Sequence, residues 1–246
     1  MRTLAALLAI CASACVPAAA AAADAPAQPA GSGQTVLKRL SNLRTSSVWA
    51  YPQGAVEIHA SPTSRSRSLG RLALLTSDGQ AQLYVALASA RLPSGAGWLQ
   101  IEVPGRPNGR TGWVPRGALG TLNPVDSYLK IDERTLTATL FRRGHAIFSA
   151  RVGIGKASTV TPTGRFYVME KLRPLNAPVY GPFAIGTSAY APTLSEWPGG
   201  GVVGIHGTNE PQLIPGRPSH GCIRMRDSDI ARLWATIGLG TPIEIV

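Results

Sequence analysis

Apolar positions follow a two-residue period over most of this chain, in short runs broken by glycine and proline. Val56-Glu57-Ile58-His59-Ala60 and Trp98-Leu99-Gln100-Ile101-Glu102-Val103 alternate, and Leu83 to Leu87 is a continuous apolar run. Each predicts a short strand. Pro107-Asn108-Gly109 separates the second alternating run from Gly112-Trp113-Val114-Pro115, and Asn-Gly between two such runs is a hairpin signal. Thr121 to Val125 reads as a linker. Alternation resumes at Tyr128 to Asp132, and Leu136–Phe141 and Ala146–Val152 flank a turn at Arg142-Arg143-Gly144-His145. Thr161-Pro162-Thr163-Gly164 is a turn leading into a strand from Arg165 to Glu170. Val202 to Ile205 reads as a buried strand that delivers His206 to its end, and Pro242 to Val246 as a last strand. A helical period occurs once: Ile230, Leu233, Trp234 and Ile237 fall at i, i+3, i+4, i+7, with Asp227-Ser228-Asp229 as the cap and Gly238 as the stop. The pattern predicts a mainly β protein with one short helix, built as a small β-barrel over 46–120 and a β-rich domain over 126–246. Arg173 to Trp197 shows no period and carries four prolines, which reads as a long loop walling a binding cleft.

Composition sharpens this picture. The 27 glycines and 20 prolines among 246 residues favour short strands over long helices. The formal net charge of +11 implies a polyanionic neighbour: nucleic acid, anionic lipid or an anionic cell-wall polymer. No RNA-binding aromatic motif, zinc-finger spacing or basic helix accompanies the charge, which argues against nucleic acid. Met1-Arg2, the apolar run Leu4 to Val16 and the small residues Pro17 to Ala23 have the form of a secretory signal peptide, 1–23. The mature chain is then expected outside the cytoplasmic membrane, in a periplasm or cell wall. A lipid anchor on Cys11 or Cys15 is the alternative, although neither stands in a lipobox. Residues 24–45, rich in Ala, Pro, Gln, Gly and Ser, read as a disordered spacer.

Removal of the signal leaves Cys222 with no disulfide partner, and a lone thiol in an oxidising compartment points to chemistry. Cys222 lies in Ser219-His220-Gly221-Cys222-Ile223-Arg224, downstream of Ile205-His206-Gly207. A thiolate at neutral pH needs a base and donors for the oxyanion it generates. His206 is the base expected to produce that thiolate, since it arrives from a separate strand end, whereas His220 is too near in sequence to aim a ring nitrogen back at the sulfur. Gly221 lets backbone N–H groups turn toward a substrate carbonyl. His206, His220 and Cys222 could instead ligate zinc, but the Ser-Gly context would then have no role. His59 and His145 read as structural and solvated, respectively.

An upstream His, a gap of about a dozen residues, then Ser-His-Gly-Cys and an apolar residue resembles the signature of the L,D-transpeptidases, the YkuD-like family. The Thr-Pro-x-Gly turn at 161–164 is a second point of likeness, and the resemblance spans 126–246. Many members carry Asn where this chain has Arg224, and others carry Arg. Trp98, Arg106-Pro107-Asn108-Gly109 and Gly112-Trp113-Val114 resemble the end of bacterial SH3-like domains, so 46–120 is expected to be one. The resemblance implies a cysteine acyltransferase on peptidoglycan stem peptides, with no metal or organic cofactor. Cys222 would form a thioester with the stem's third residue and release D-alanine, and a neighbouring stem's amine would take the acyl group. His206 would act as base then acid, oriented by the Gly207 carbonyl. The N–H groups of Gly221 and Cys222, with His220 nearby, would form the oxyanion hole. Arg224, Ser219, Tyr180 and Tyr190 would contact substrate, and carbapenem-type β-lactams would acylate Cys222. A secreted cysteine peptidase or amidase, with water as acceptor, and a non-catalytic wall-binding protein are the competing readings.

Overall fold

The computed structural model of the chain describes residues 34–174, 178–194 and 198–246. The signal-peptide region and residues 24–33 of the spacer lie outside them. Eight strands come first: β1 (Val36–Arg39), β2 (Ser47–Ala50), β3 (Glu57–His59), β4 (Ser68–Arg71), β5 (Tyr84–Arg91), β6 (Gly97–Glu102), β7 (Thr111–Pro115) and β8 (Asn123–Val125). They form an antiparallel sheet in the order β4-β3-β7-β6-β5-β2-β8, with β1 on β5. Two segments differ from the sequence reading. Part of the expected spacer is a strand, β1. All four of its residues are exposed, so burial leaves no period to read there, and pairing with β5 alone extends it. The expected linker 121–125 includes β8, which pairs with β2 and so closes the first sheet rather than leaving it.

The second sheet is mixed. Its strands are β9 (Ser127–Asp132), β10 (Thr137–Arg142), β11 (His145–Arg151), β12 (Gly153–Gly155), β13 (Gly164–Leu172), β14 (Ala184–Tyr190), β15 (Val202–His206), β16 (Gly216–Ser219), β17 (Ile223–Arg224) and β18 (Pro242–Ile245). Their order is β11-β10-β9-β18-β13-β14-β15-β17-β12-β16. The alternation of β9 becomes alternating burial, with Leu129 and Ile131 inside. The helix α1 (Asp227–Thr236) lays Ile230 and Leu233 into the same core as Ile205, Ile223 and Met225. Asp227 is not its cap; Arg226 holds that position, without a side-chain cap bond, and Asp227 is used elsewhere. Arg173 to Trp197 is not one loop either, because β14 runs through it. Its Gly186, Thr187, Ser188 and Ala189 are too small and polar to give an apolar signal, yet small size is what this place requires: a Cβ on Gly186 would meet the Glu170 side chain at 2.5 Å.

The two sheets share a core. Leu43, Leu83 and Val85 from the first pack with Tyr167 and Met169 from the second, and the described residues form one compact unit. Two carboxyls are shut into this junction. Glu102 accepts the Ser188 hydroxyl at 3.1 Å, and Glu170 accepts that of Thr76 at 2.7 Å. Burial lifts Glu102 from its ordinary 4.5 to about 8, with Ser188 opposing, and lifts Glu170 to about 7. A raised folded value means that the native state holds the proton through the window in which the unfolded chain releases it. The contribution of Glu102 to stability is therefore present below about pH 4.5 and is lost as pH rises to about 8. Glu102→Gln, which keeps the shape with a neutral amide and cannot ionise, should flatten the fall of the thermal midpoint between those pH values. Unchanged pH dependence would contradict a proton held at Glu102.

Candidate active site

Cys222 lies at the entrance to β17, and His206 is the last residue of β15. The two strands run parallel with His206 opposite Arg224, which brings Cys222 level with Gly204. The Gly204 N–H donates to Cys222 Sγ at 3.4 Å. A Cβ on Gly204 would stand 3.8 Å from His206 Cδ2 and 4.0 Å from Sγ, so glycine keeps open the space that ring and sulfur both border. His206 is 3% exposed, with Nδ1 2.7 Å from the Gly207 carbonyl oxygen. That carbonyl can only accept, so Nδ1 carries the proton and Nε2 is left as the base. The Tyr180 ring, on a single 3-10 turn (Pro178–Tyr180), meets the imidazole edge-on at 4.8 Å between centroids.

The electrostatics set the resting state of the pair. Burial holds His206 down to about 4, the Gly207 bond opposing and the nearby Arg224 charge adding to the effect. Burial raises the Cys222 thiol above its ordinary 9.0, against the lowering effects of the Gly204 N–H and Arg224. At neutral pH the pair is therefore imidazole and thiol. The sequence reading expected a thiolate formed by His206; burial at this site favours the neutral imidazole and the neutral thiol over the two ions.

The turn between β16 and β17 is fastened from within. Ser219 is buried, and its Oγ donates to the Cys222 carbonyl at 2.5 Å while accepting the Gly221 N–H at 3.0 Å. Gly221 has φ +120°, a conformation open to glycine. Its carbonyl accepts the Thr161 hydroxyl at 2.8 Å, and that hydroxyl accepts the Gly155 N–H at 2.9 Å. Arg224 is paired with Glu210 at 2.8 Å; its Nε is buried and makes no hydrogen bond with the described residues. His220 is exposed, with Nε2 3.3 Å from Lys156 Nζ, so the lysine donates and that nitrogen accepts. His206, Ser219, His220, Gly221, Cys222 and Arg224, with Tyr180, Ala191 and Leu194, border a cleft of about 460 Å³. Among the described residues, no group of three or more His, Cys, Asp or Glu is placed to hold a metal ion. No helix among them is long and apolar enough to cross a membrane.

Residues 126–245 match the model of the YkuD family, the L,D-transpeptidase catalytic domain. The chain is 33% identical over 132 residues to YqjB of Bacillus subtilis, named as an L,D-transpeptidase, covering 50% of this chain and 72% of that protein. The chain belongs to the L,D-transpeptidase family. It is also 35% identical over 122 residues to Bacillus subtilis YkuD, likewise so named, covering 50% of this chain and 66%, about two thirds, of that relative. The solved catalytic domain of the E. faecium L,D-transpeptidase aligns at 24% identity and a TM-score of 0.38, covering 49% of this chain and 97% of that one.

Within this L,D-transpeptidase fold the site residues named from sequence divide into two groups. Cys222, His206, Gly207, Gly221, Ser219, Arg224, His220 and Tyr180 converge on one cleft or its rim. Tyr190 does not. Its backbone N–H and carbonyl are both held by the Asn108 side chain at 2.9 Å, and Arg106 lies 5.2 Å from its ring centroid, so it belongs to the junction with the first sheet. Two roles also change. Ser219 is a staple of the turn rather than a substrate contact, since its hydroxyl is fully engaged with backbone. The Gly221 N–H, expected in the oxyanion hole, is spent on Ser219 Oγ.

Three residues missed from sequence matter here. Thr161 ties the Thr-Pro-x-Gly turn to the cysteine turn, and Glu210 neutralises Arg224. Asp227 Oδ1 accepts the Thr208 N–H at 3.0 Å and packs against Gly207, anchoring the loop whose carbonyl orients His206. Its acidic character in the first turn of α1 was the available signal, and it suggested only a cap. The packing leaves no room at Gly207: a Cβ there would collide with Asp227 Oδ1 and stand 2.9 Å from Gly181 Cα. Gly207→Ala should lower turnover about tenfold to a hundredfold with the fold retained, because 1 Å misplacement of a catalytic group has effects of this order. Gly54→Ala, where a Cβ meets nothing within 4 Å, is the control and should leave turnover unchanged.

Proposed function

We propose that the chain is a peptidoglycan L,D-transpeptidase acting by cysteine acyl transfer. The observation that carries the reading is the imidazole of His206 and the sulfur of Cys222 bordering one space in a cleft, within a chain of this family. His206 Nε2 takes the thiol proton as Cys222 Sγ attacks the carbonyl of the stem's third residue. The tetrahedral oxyanion collapses, the C–N bond breaks, and His206 returns the proton to the departing D-alanine amine. The amine of a neighbouring stem then attacks the thioester, losing its proton through His206 as the thiol is restored. One amide bond is broken and one formed, so no redox partner or cofactor is needed. With the Gly221 N–H engaged, the Cys222 N–H is the backbone donor assigned to the oxyanion. Arg224 grips a substrate carboxylate with the N–H groups that Glu210 leaves, and Lys156 and His220 form the polar rim.

The first sheet is read as an SH3-like module that holds the enzyme at an anionic wall after secretion. The exposed Arg65, Arg67, Arg71 and Arg110 support this, and added salt should weaken such attachment. The catalytic reading is tested with purified protein, a stem tetrapeptide ending in D-alanine, and an added diamino-acid stem as acceptor. Products whose mass equals donor plus acceptor less D-alanine are expected. Release of the free acid alone, whether or not acceptor is present, would make the protein a peptidase instead.

A further inference from the structure

We propose that Arg106, in the loop after β6 of the first sheet, is a positioning residue of the catalytic cleft: its guanidinium shapes a wall of the cleft that Cys222 also lines. This rests on the functional reading above for the identity of the substrate. Arg106 follows β6 in the loop before β7, about 85 residues from the wall it touches in sequence. Its Nε and Nη2 both donate to the Ala191 carbonyl, at 3.1 and 2.9 Å, Nη2 also to Leu194 O at 2.7 Å, and Nη1 to Gly200 O at 2.8 Å. Ala191, Leu194 and Gly201 line the cleft that holds the sulfur, and the Ala191 N–H donates to Gly201 O at 2.8 Å across the neck of the segment.

Three carbonyl oxygens turned toward one point repel each other unless a cation with several N–H donors lies between them. A guanidinium has five N–H donors in a fixed fork and can serve all three; an ammonium, with three donors on one atom, cannot copy that geometry. The position is also shaped to receive it: a Cβ on Gly201 would collide with Arg106 Nη2 and Leu194 O. Asn108, two residues on, holds the Tyr190 N–H and carbonyl, so the clamp arrives in register with the end of β14. The wall in turn reaches the nucleophile's turn, since a Cβ on Gly221 would stand 3.7 Å from Ala191 Cβ. The first sheet thus completes a cleft whose reacting residues all belong to the second. With its N–H groups held by these carbonyls, Arg106 is not among the arginines available for contact with a wall polymer.

The test uses the full chain with Arg106→Ala and Arg106→Lys, each checked for an unchanged thermal midpoint. Both should raise KM for the stem donor about tenfold, the worth of one charge-assisted hydrogen bond, with kcat changed by less than about twofold. Low-millimolar guanidinium should bring KM of Arg106→Ala back toward wild type and leave Arg106→Lys unchanged. Cys222 alkylation is read in parallel with iodoacetamide and with a bulky dye maleimide. Loss of the clamp should raise the maleimide-to-iodoacetamide rate ratio at least about threefold, as a released wall admits the larger probe. An unchanged KM and an unchanged ratio in a folded Arg106→Ala would overturn the proposal. If Arg106→Ala fails to fold, the same two readouts on Arg106→Lys decide it. Absence of any stem turnover by the wild-type protein would sink the functional reading, while the alkylation ratio would still decide the clamp.

Discussion

Cys222→Ala should reduce transpeptidation to the uncatalysed background while leaving the fold intact. The sulfur is half-buried and accepts the Gly204 N–H, so truncation costs a weak hydrogen bond and a small amount of packing. Among the described residues that line the cleft, Ser219 carries the only aliphatic hydroxyl that could stand in for the thiol. Ser219 Oγ is the nearest hydroxyl in sequence, and it is buried and committed to the Cys222 carbonyl and the Gly221 N–H. Cys222→Ser is the more demanding variant. It keeps shape and a hydrogen-bonding atom, yet His206 held at about 4 is too weak a base to draw a proton from an alcohol. Turnover by the serine variant should also fall to background, as read by product mass over long incubations. Retention of a substantial fraction of wild-type rate by either variant would remove Cys222 from the reaction.

His206→Ala should lower kcat/KM by about 10²- to 10⁴-fold, the range for losing a positioned general base. The pH dependence is the sharper consequence. With His206 at about 4 and the thiol above 9.0, the reactive neutral pair exists across the whole interval between them. Wild-type kcat/KM should stay level through neutral pH and decline near pH 4, as Nε2 takes a proton and can no longer accept the one on sulfur. Iodoacetamide, which needs thiolate, should react slowly at pH 7 and accelerate as pH rises through 9, with no plateau below it. His206→Ala should change that alkylation curve little at high pH while abolishing the acidic limb of turnover. A thiol that alkylates with a plateau at neutral pH, lost in His206→Ala, would mean that the pair rests as an ion pair instead.

The reacting pair was legible in the sequence because each half is local. His206 ends an apolar run that becomes β15, and Cys222 follows a glycine that its turn requires, so strand and turn could be read without knowing what packs where. The same holds for the Gly207 carbonyl, which is one residue from the ring it orients. What escaped is set by pairing between distant segments. The apolar signal of β14 is broken at Gly186, where the Glu170 side chain leaves no room for a Cβ, and at Thr187 and Ser188, which hydrogen-bond to Val203 O and Glu102. Tyr190 read as a cleft aromatic and Arg106 as one residue of an SH3-like stretch; each is fixed by the other's sheet. Ser219 and Gly221 were assigned to substrate and oxyanion from their neighbourhood, and sequence could not show that they satisfy one another. The resting charge of the pair was invisible for the same reason, since burial by the surrounding sheet decides it.

The most direct test of the account is the intact mass of the full chain mixed with a stem tetrapeptide in the absence of any acceptor amine. The account predicts a mass gain equal to the tetrapeptide less D-alanine, one adduct per chain, released by hydroxylamine as a thioester must be and absent from Cys222→Ala. No adduct under conditions that support turnover, or an adduct that survives in Cys222→Ala, would contradict it.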